Sequence, residues 1–218
     1  MKVIITGATG MVGEGVLLEC LENPAVKQVL IVNRKQSPVR HPKLKELIVP
    51  DFMNLEKVEE QLTGYDACFY CAGISSVGVN EEKYTYVTYD TTIHFANKLV
   101  LLNPNMIFNF VTGRHTDSTE KGKLMWARVK GKTENALMKL PFKKVVCFRP
   151  GLMKPTKGQK NVKTLYWVLA PILLVFLPVR SNKSSTMHQI GLAMINTVLK
   201  DYSKQILEIK DINELAAL

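Results

Sequence analysis

The sequence predicts a doubly wound α/β fold with a parallel sheet, and three observations predict it. A β-branched apolar run at Lys2–Thr6 passes through Gly7-Ala-Thr-Gly10-Met-Val-Gly13 into an amphipathic stretch at Met11–Glu22, which reads as strand, glycine turn and helix. Further short apolar runs then alternate with helical stretches along the chain. The connections between these runs are long enough for crossovers, which is what parallel neighbours need.

The glycine turn organises the first unit. Gly7 permits the tight bend, Gly10 lets main-chain amides approach a phosphate closely, and Gly13 lets the helix pack near the strand. Thr9, Met11 and Val12 lie in the same turn and helix start, where unpaired N–H groups and the positive dipole end favour an anion. A pyrophosphate is therefore the expected occupant.

The second strand, residues 28–32, ends at Asn33-Arg34-Lys35. A carboxylate about twenty residues past the glycines would bind the ribose hydroxyls of NAD, whereas an arginine there accommodates the 2′-phosphate of NADP. No acid stands at this place, so Asn33, Arg34 and Lys35 predict NADP, with NAD the weaker expectation. The third strand, residues 44–49, leads to Asp51 and Phe52, which stand where an adenine edge and face would be met. The fourth, residues 67–71, ends at Cys71-Ala72-Gly73, small enough to let a cofactor lie along the backbone.

A helix over residues 81–102 carries Tyr84, Tyr86 and Tyr89, read as packing or cleft-lining groups. The fifth strand, residues 106–111, opens into the polar loop Thr112-Gly-Arg-His115-Thr-Asp117. In the helix expected at 123–140, Trp126 and Lys130 lie four apart and share a face. Lys144–Phe148 is a sixth strand, closed by Arg149-Pro150-Gly151. A short strand at 205–209 and a terminal helix at 212–218 complete the chain.

Length and composition, 218 residues with 46% hydrophobic content, suit a single domain over 1–218. Residues 152–185 stand apart as a cap, a subunit contact of a homodimer, or a membrane-facing segment. Within them, 164–179 holds sixteen uncharged residues broken by Pro171 and Pro178, shorter than the roughly twenty that a spanning helix needs. Lysines and Arg180 flank it, as a peripheral contact with an anionic surface would require. As a cap it would line an apolar substrate pocket.

The net charge of +10 is regional: residues 120–163 hold thirteen Lys or Arg against two Glu, leaving −1 for the rest. No aromatic interleaving of the kind that stacks bases accompanies this patch, so nucleic acid is not the expected partner. Cys68 and Cys71 form a CxxC inside a strand-like run, where an odd separation sends the side chains to opposite faces. Buried, reduced thiols rather than a metal site are expected. With Met1 leading directly into the first strand, a cytoplasmic location is the expectation.

Taken together, ITGATGMVG at the start, Asn33-Arg34, Asp51-Phe52, Cys71-Ala72-Gly73, residues 87–90, Lys130 within RVKGKTE and Phe148-Arg-Pro-Gly151 resemble the short-chain dehydrogenase/reductases. The likeness is to their atypical and extended NAD(P)-binding, Rossmann-fold branch, and within it to the small Tat-interacting-protein-like oxidoreductases. It covers residues 1–151, with weaker support at 186–199. It implies an oxidoreductase or epimerase-like activity on a small apolar, carbonyl-bearing or sugar-like substrate. It also implies a Tyr-x-x-x-Lys pair with a Ser or Thr at the end of the fifth strand. Lys130 matches the lysine and Thr112 stands for the hydroxyl, but Trp126 occupies the tyrosine position. An indole N–H donates a hydrogen bond and cannot shuttle a proton near neutrality. Two readings follow. Either His115 or one of Tyr84, Tyr86, Tyr89 and Tyr166 supplies the proton, or the protein binds NADP(H) without turnover, as a sensor or scaffold.

Overall fold

The first strand is continuously apolar because it becomes a central strand, covered on both faces. The structure is a computed structural model that describes residues 1–162 and 184–218. Seven strands, β1 (Lys2–Thr6), β2 (Gln28–Asn33), β3 (Leu44–Ile48), β4 (Ala67–Tyr70), β5 (Ile107–Val111), β6 (Lys144–Phe148) and β9 (Ile206–Leu207), form one sheet in the order β3-β2-β1-β4-β5-β6-β9. Every pairing in it is parallel. A separate parallel pair joins β7 (Leu152–Lys154) to β8 (Ser184–Thr186). The fold is therefore the doubly wound parallel sheet expected from the sequence.

Strand order reverses between β1, whose next strand lies on one side, and β4, which pairs on the other. A crevice opens at the carboxyl ends of the strands at such a switch. On one sheet face lie the helices α1 (Met11–Glu22), α5 (Met187–Leu199) and α6 (Ile209–Ala216), packed over Val3, Ile5, Val29 and Ile31. The opposite face carries α3 (Thr91–Leu102) and α4 (Met125–Leu137) over an aromatic layer. In that layer Phe52 stacks on Phe95 at 5.1 Å between ring centroids, and Tyr70 lies 5.8 Å from Phe108.

Helix ends follow local chemistry. The Lys43 ammonium donates to the carbonyls of Leu21 and Asn23 at 2.8 Å each, closing the C-terminal end of α1. Thr186 and Gln189 form a reciprocal capping box at the start of α5. The helix expected at 81–102 keeps those bounds but contains a π-helical turn: α2 (Glu81–Thr85) leads through Tyr86–Asp90 into α3. Between β3 and β4 a 3-10 helix spans Glu56–Leu62. The last strand keeps two residues, because a second capping box at Glu208 and Asp211 starts α6 earlier than the expected 212.

All four cysteines are unpaired, and Cys68 and Cys71 do lie against opposite cores. Burial raises the Cys71 thiol to about 12, which makes it a packing group rather than a thiolate. The segment 164–179, with Tyr166, lies outside the described residues. Among the described residues no helix is long and apolar enough to cross a membrane.

Phe95 is fully buried between Phe52 and Tyr70. Phe95→Ala is expected to lower the unfolding free energy by about 3–5 kcal/mol, read from chemical denaturation.

Candidate dinucleotide site

The turn after β1 is built from backbone, with no room for side chains. Gly7 sits at φ +69°, and a Cβ there would lie 2.7 Å from the main chain of Ala72. A Cβ on Gly13 would stand 2.2 Å from the Gly7 carbonyl oxygen. At Gly10 the situation differs: an added Cβ would meet only that same oxygen, at 3.4 Å, so the chain leaves its outer side open. Gly10 is the N-cap of α1 and offers no side-chain cap, so the first-turn amides around Met11 and Val12 face an exposed Thr9-Gly10 turn. Across the crevice the Ala72 amide donates to the Thr6 hydroxyl at 3.2 Å, and beyond it Gly73 borders open space. This is a cradle fitted to a pyrophosphate.

At the end of β2, Asn33 is 3% exposed, yet neither its amide nitrogen nor its amide oxygen has a partner among the described residues. Buried polar atoms without partners cost free energy and mark a missing ligand or water. Arg34 and Lys35 follow it, both exposed. Asp51 is exposed, and its carboxylate accepts from the Met53 amide at 3.0 Å and the Asn54 side chain at 2.8 Å. The expected adenine-facing ring of Phe52 needs correction: at 7% exposure and stacked on Phe95, it belongs to the core.

At the other end of the crevice, Lys130 donates from Nζ to the Thr112 carbonyl at 2.6 Å. Burial lowers its pKa to about 8, against the opposing pull of the Glu134 carboxylate. The hydroxyl of Thr112 does not face the crevice as expected. It lies 2.6 Å from the Glu134 carboxylate and 3.0 Å from the Phe148 carbonyl. Glu134, fully buried, is held in turn by the Arg149 guanidinium, which also reaches Ser118 at 2.5 Å. A buried carboxylate needs this degree of pairing, and it captures the nearest hydroxyl.

At the end of β5, a Cβ on Gly113 would lie 4.0 Å from the Trp126 ring. The loop then crosses α4 so closely that a Cβ on Gly131 would lie 1.8 Å from the Asp117 carbonyl. His115 is exposed, at φ +69°. Tyr84 is buried, with its phenol pushed up by desolvation, and Tyr89 lies under the Lys132 ammonium at 4.3 Å. Thus the structure gathers Gly7, Gly10, Gly13, Ala72 and Gly73 at one crevice, with Asn33 at its β2 side. It leaves Trp126 and Lys130 beside a glycine.

Sequence reasoning missed Glu14, Glu134 and Gly113. Glu134 had a signal, standing four residues after Lys130 on one helix. Gly113 had none, since only the direction of the Thr112 side chain brings it into view.

A glycine turn at a switch point of a parallel sheet defines the dinucleotide-binding class of α/β proteins. The chain belongs to the NAD dependent epimerase/dehydratase family, whose sequence pattern matches residues 3–126. It is similar to Protein HTATIP2 of Rattus norvegicus, 25% identical over 154 residues that span 70% of this chain and 62% of that relative. Among solved structures, it resembles a dTDP-glucose 4,6-dehydratase from Streptomyces venezuelae with NAD bound. That match has a TM-score of 0.70 at 14% identity and covers 99% of this chain and 80% of that one. It also resembles UDP-glucuronic acid 4-epimerase from Bacillus cereus with NAD, at TM-score 0.68 and 13% identity, over 96% and 76% of the two chains. A short chain dehydrogenase family protein from Francisella tularensis matches at 0.62 and 17%, over 92% and 91%.

Because the Lys130 pKa is lowered, the unfolded lysine binds a proton between about pH 8 and the ordinary lysine range while the folded one does not. Stability is therefore expected to rise with pH across that window, by up to about 1.4 kcal/mol per unit. Urea denaturation of the wild type and Lys130→Met checks this, the rise being absent in the variant.

Proposed function

We propose that this protein binds NADP(H) at the glycine turn and works as an oxidoreductase or epimerase-like protein on a small carbonyl-bearing or sugar-like substrate. The observation that carries the nucleotide reading is the buried amide of Asn33, unpartnered among the described residues, beside the exposed Arg34 and Lys35. Its donor and acceptor suit a ribose, and Arg34 with Lys35 suits the 2′-phosphate. The uncapped amides of α1 hold the pyrophosphate. Lys130, bonded among the described residues to the Thr112 carbonyl, has ammonium protons left for the nicotinamide ribose. When bound, the nucleotide supplies hydride acceptance or donation at its nicotinamide ring. Sugar nucleotides, named for the dehydratase and epimerase above, supply the chemical class for a first substrate panel.

A second reading, a catalytically silent NADP(H)-binding sensor or scaffold acting through a protein partner or a membrane surface, is favoured by one specific observation. A Cβ on Gly113 would lie 4.0 Å from the Trp126 ring, and the Thr112 hydroxyl is committed to Glu134, so among the described residues neither the Thr112 nor the Trp126 position offers a hydroxyl for proton transfer.

Calorimetric titration should find NADPH binding more tightly than NADH, with Arg34→Ala losing at least about tenfold for NADPH alone. Equal affinities, unchanged in the variant, would overturn the phosphate assignment. Turnover of NADPH with a carbonyl and sugar-nucleotide panel separates the two readings. A Gly113→Ser, Trp126→Tyr double variant that gains activity over a silent wild type would show that only the hydroxyls are missing.

A further inference from the structure

Glu14 is an oddity at an anion site. It is a carboxylate in the first turn of α1, next to Gly13, and it is 3% exposed. A negative group there competes with a bound phosphate for the same helix end, where like charges repel. Among the described residues its partners are main-chain amides alone. Lys160 N donates to both carboxylate oxygens at 3.0 Å, and Asn161 N donates at 2.7 Å.

Those amides belong to a strap, residues 156–161, laid along the outer face of α1. Thr156 lies 3.5 Å from the Glu19 carboxylate, and the Cβ position of Gly158 is 4.0 Å from Leu18. Gln159 Nε2 donates to the Met11 carbonyl at 2.7 Å. The strap thus runs from the last turns of the helix back to its first. It is a built turn: Gly158 takes φ +94°, and the Gln159 side chain accepts from the Thr156 amide at 2.7 Å. One glutamine side chain therefore closes the turn and ties it to the helix residue that follows Gly10.

We propose that the strap is part of the nucleotide site and that Glu14 is its positioning residue. Docked, the two strap amides absorb the carboxylate and turn it away from the glycine turn, leaving the start of α1 free for a pyrophosphate. Undocked, the carboxylate returns to the helix end and opposes the phosphate. Strap docking and nucleotide binding then strengthen one another, and reciprocally, as linkage requires. This rests on the NADP(H) reading above.

The test is a thermodynamic cycle on the full chain, read by calorimetry with NADPH and by circular-dichroism melting. Lys160→Pro deletes one strap amide and is expected to weaken NADPH binding by about tenfold. Glu14→Gln removes the charge, so Lys160→Pro in that background should cost less than about threefold. A merely structural strap would give the same loss in both backgrounds. In a second readout, saturating NADPH should slow trypsin cleavage after Lys157 and Lys160 in the wild type. Unchanged affinity in Lys160→Pro, or equal losses in the two backgrounds, or cleavage indifferent to NADPH, would overturn the strap proposal while wild-type binding left the nucleotide reading intact. A wild type that binds no NADPH would instead overturn both.

Discussion

The contact between the Gly7 carbonyl and the Cα of Gly13 leaves no space for a side chain, and the rest of the site is laid out from it. It draws the first turn of α1 against the end of β1, so that α1 begins at the sheet edge with its amides uncapped. The same turn touches the backbone of Ala72 beyond β4, which brings the two strands of the switch point into one crevice. A turn without room for side chains results from two close approaches of main chain, each requiring glycine.

The end of the crevice at Lys130 and Thr112 depends on charge. Glu134 lies fully buried in α4, and burying a carboxylate is costly unless charged and polar partners surround it. Arg149 and the Thr112 hydroxyl meet that requirement, and Arg149 also touches Glu208 at the start of α6. The network ties β5, α4, β6 and the C-terminal helix together. Its consequence is local: with the Thr112 side chain turned inward, its carbonyl is left for Lys130, and the crevice receives Gly113 and Trp126.

Besides Lys130, four of the thirteen basic residues between positions 120 and 163 have internal partners among the described residues. Arg128 pairs with Glu81 across two helices, Lys132 covers the Tyr89 ring, and Lys144 holds the Tyr202 carbonyl. Arg149 serves the buried network. These are structural pairings, so the charge run is not by itself the footprint of a polyanionic partner.

The sheet and the glycine turn were legible in the chain because both are local in origin. Apolar runs of five or six residues make strands that are buried on both faces, and the glycine spacing makes a turn that only glycine can fill. Boundaries and helix type were less legible where capping chemistry or a π-helical turn overrode periodicity, as at Glu208 and at Tyr86–Asp90. The direction of side chains in the loops beyond the strand ends was not legible. Phe52 enters the aromatic core because Phe95 lies opposite, and the Thr112 hydroxyl turns inward because Glu134 is buried beside it. Glu14 meets its partners only because residues 160 and 161 fold back onto α1 from far along the chain. Sequence spacing specifies which backbone can bend and which face is apolar. What each polar group binds depends on elements distant in the chain, and only the assembled fold sets those distances.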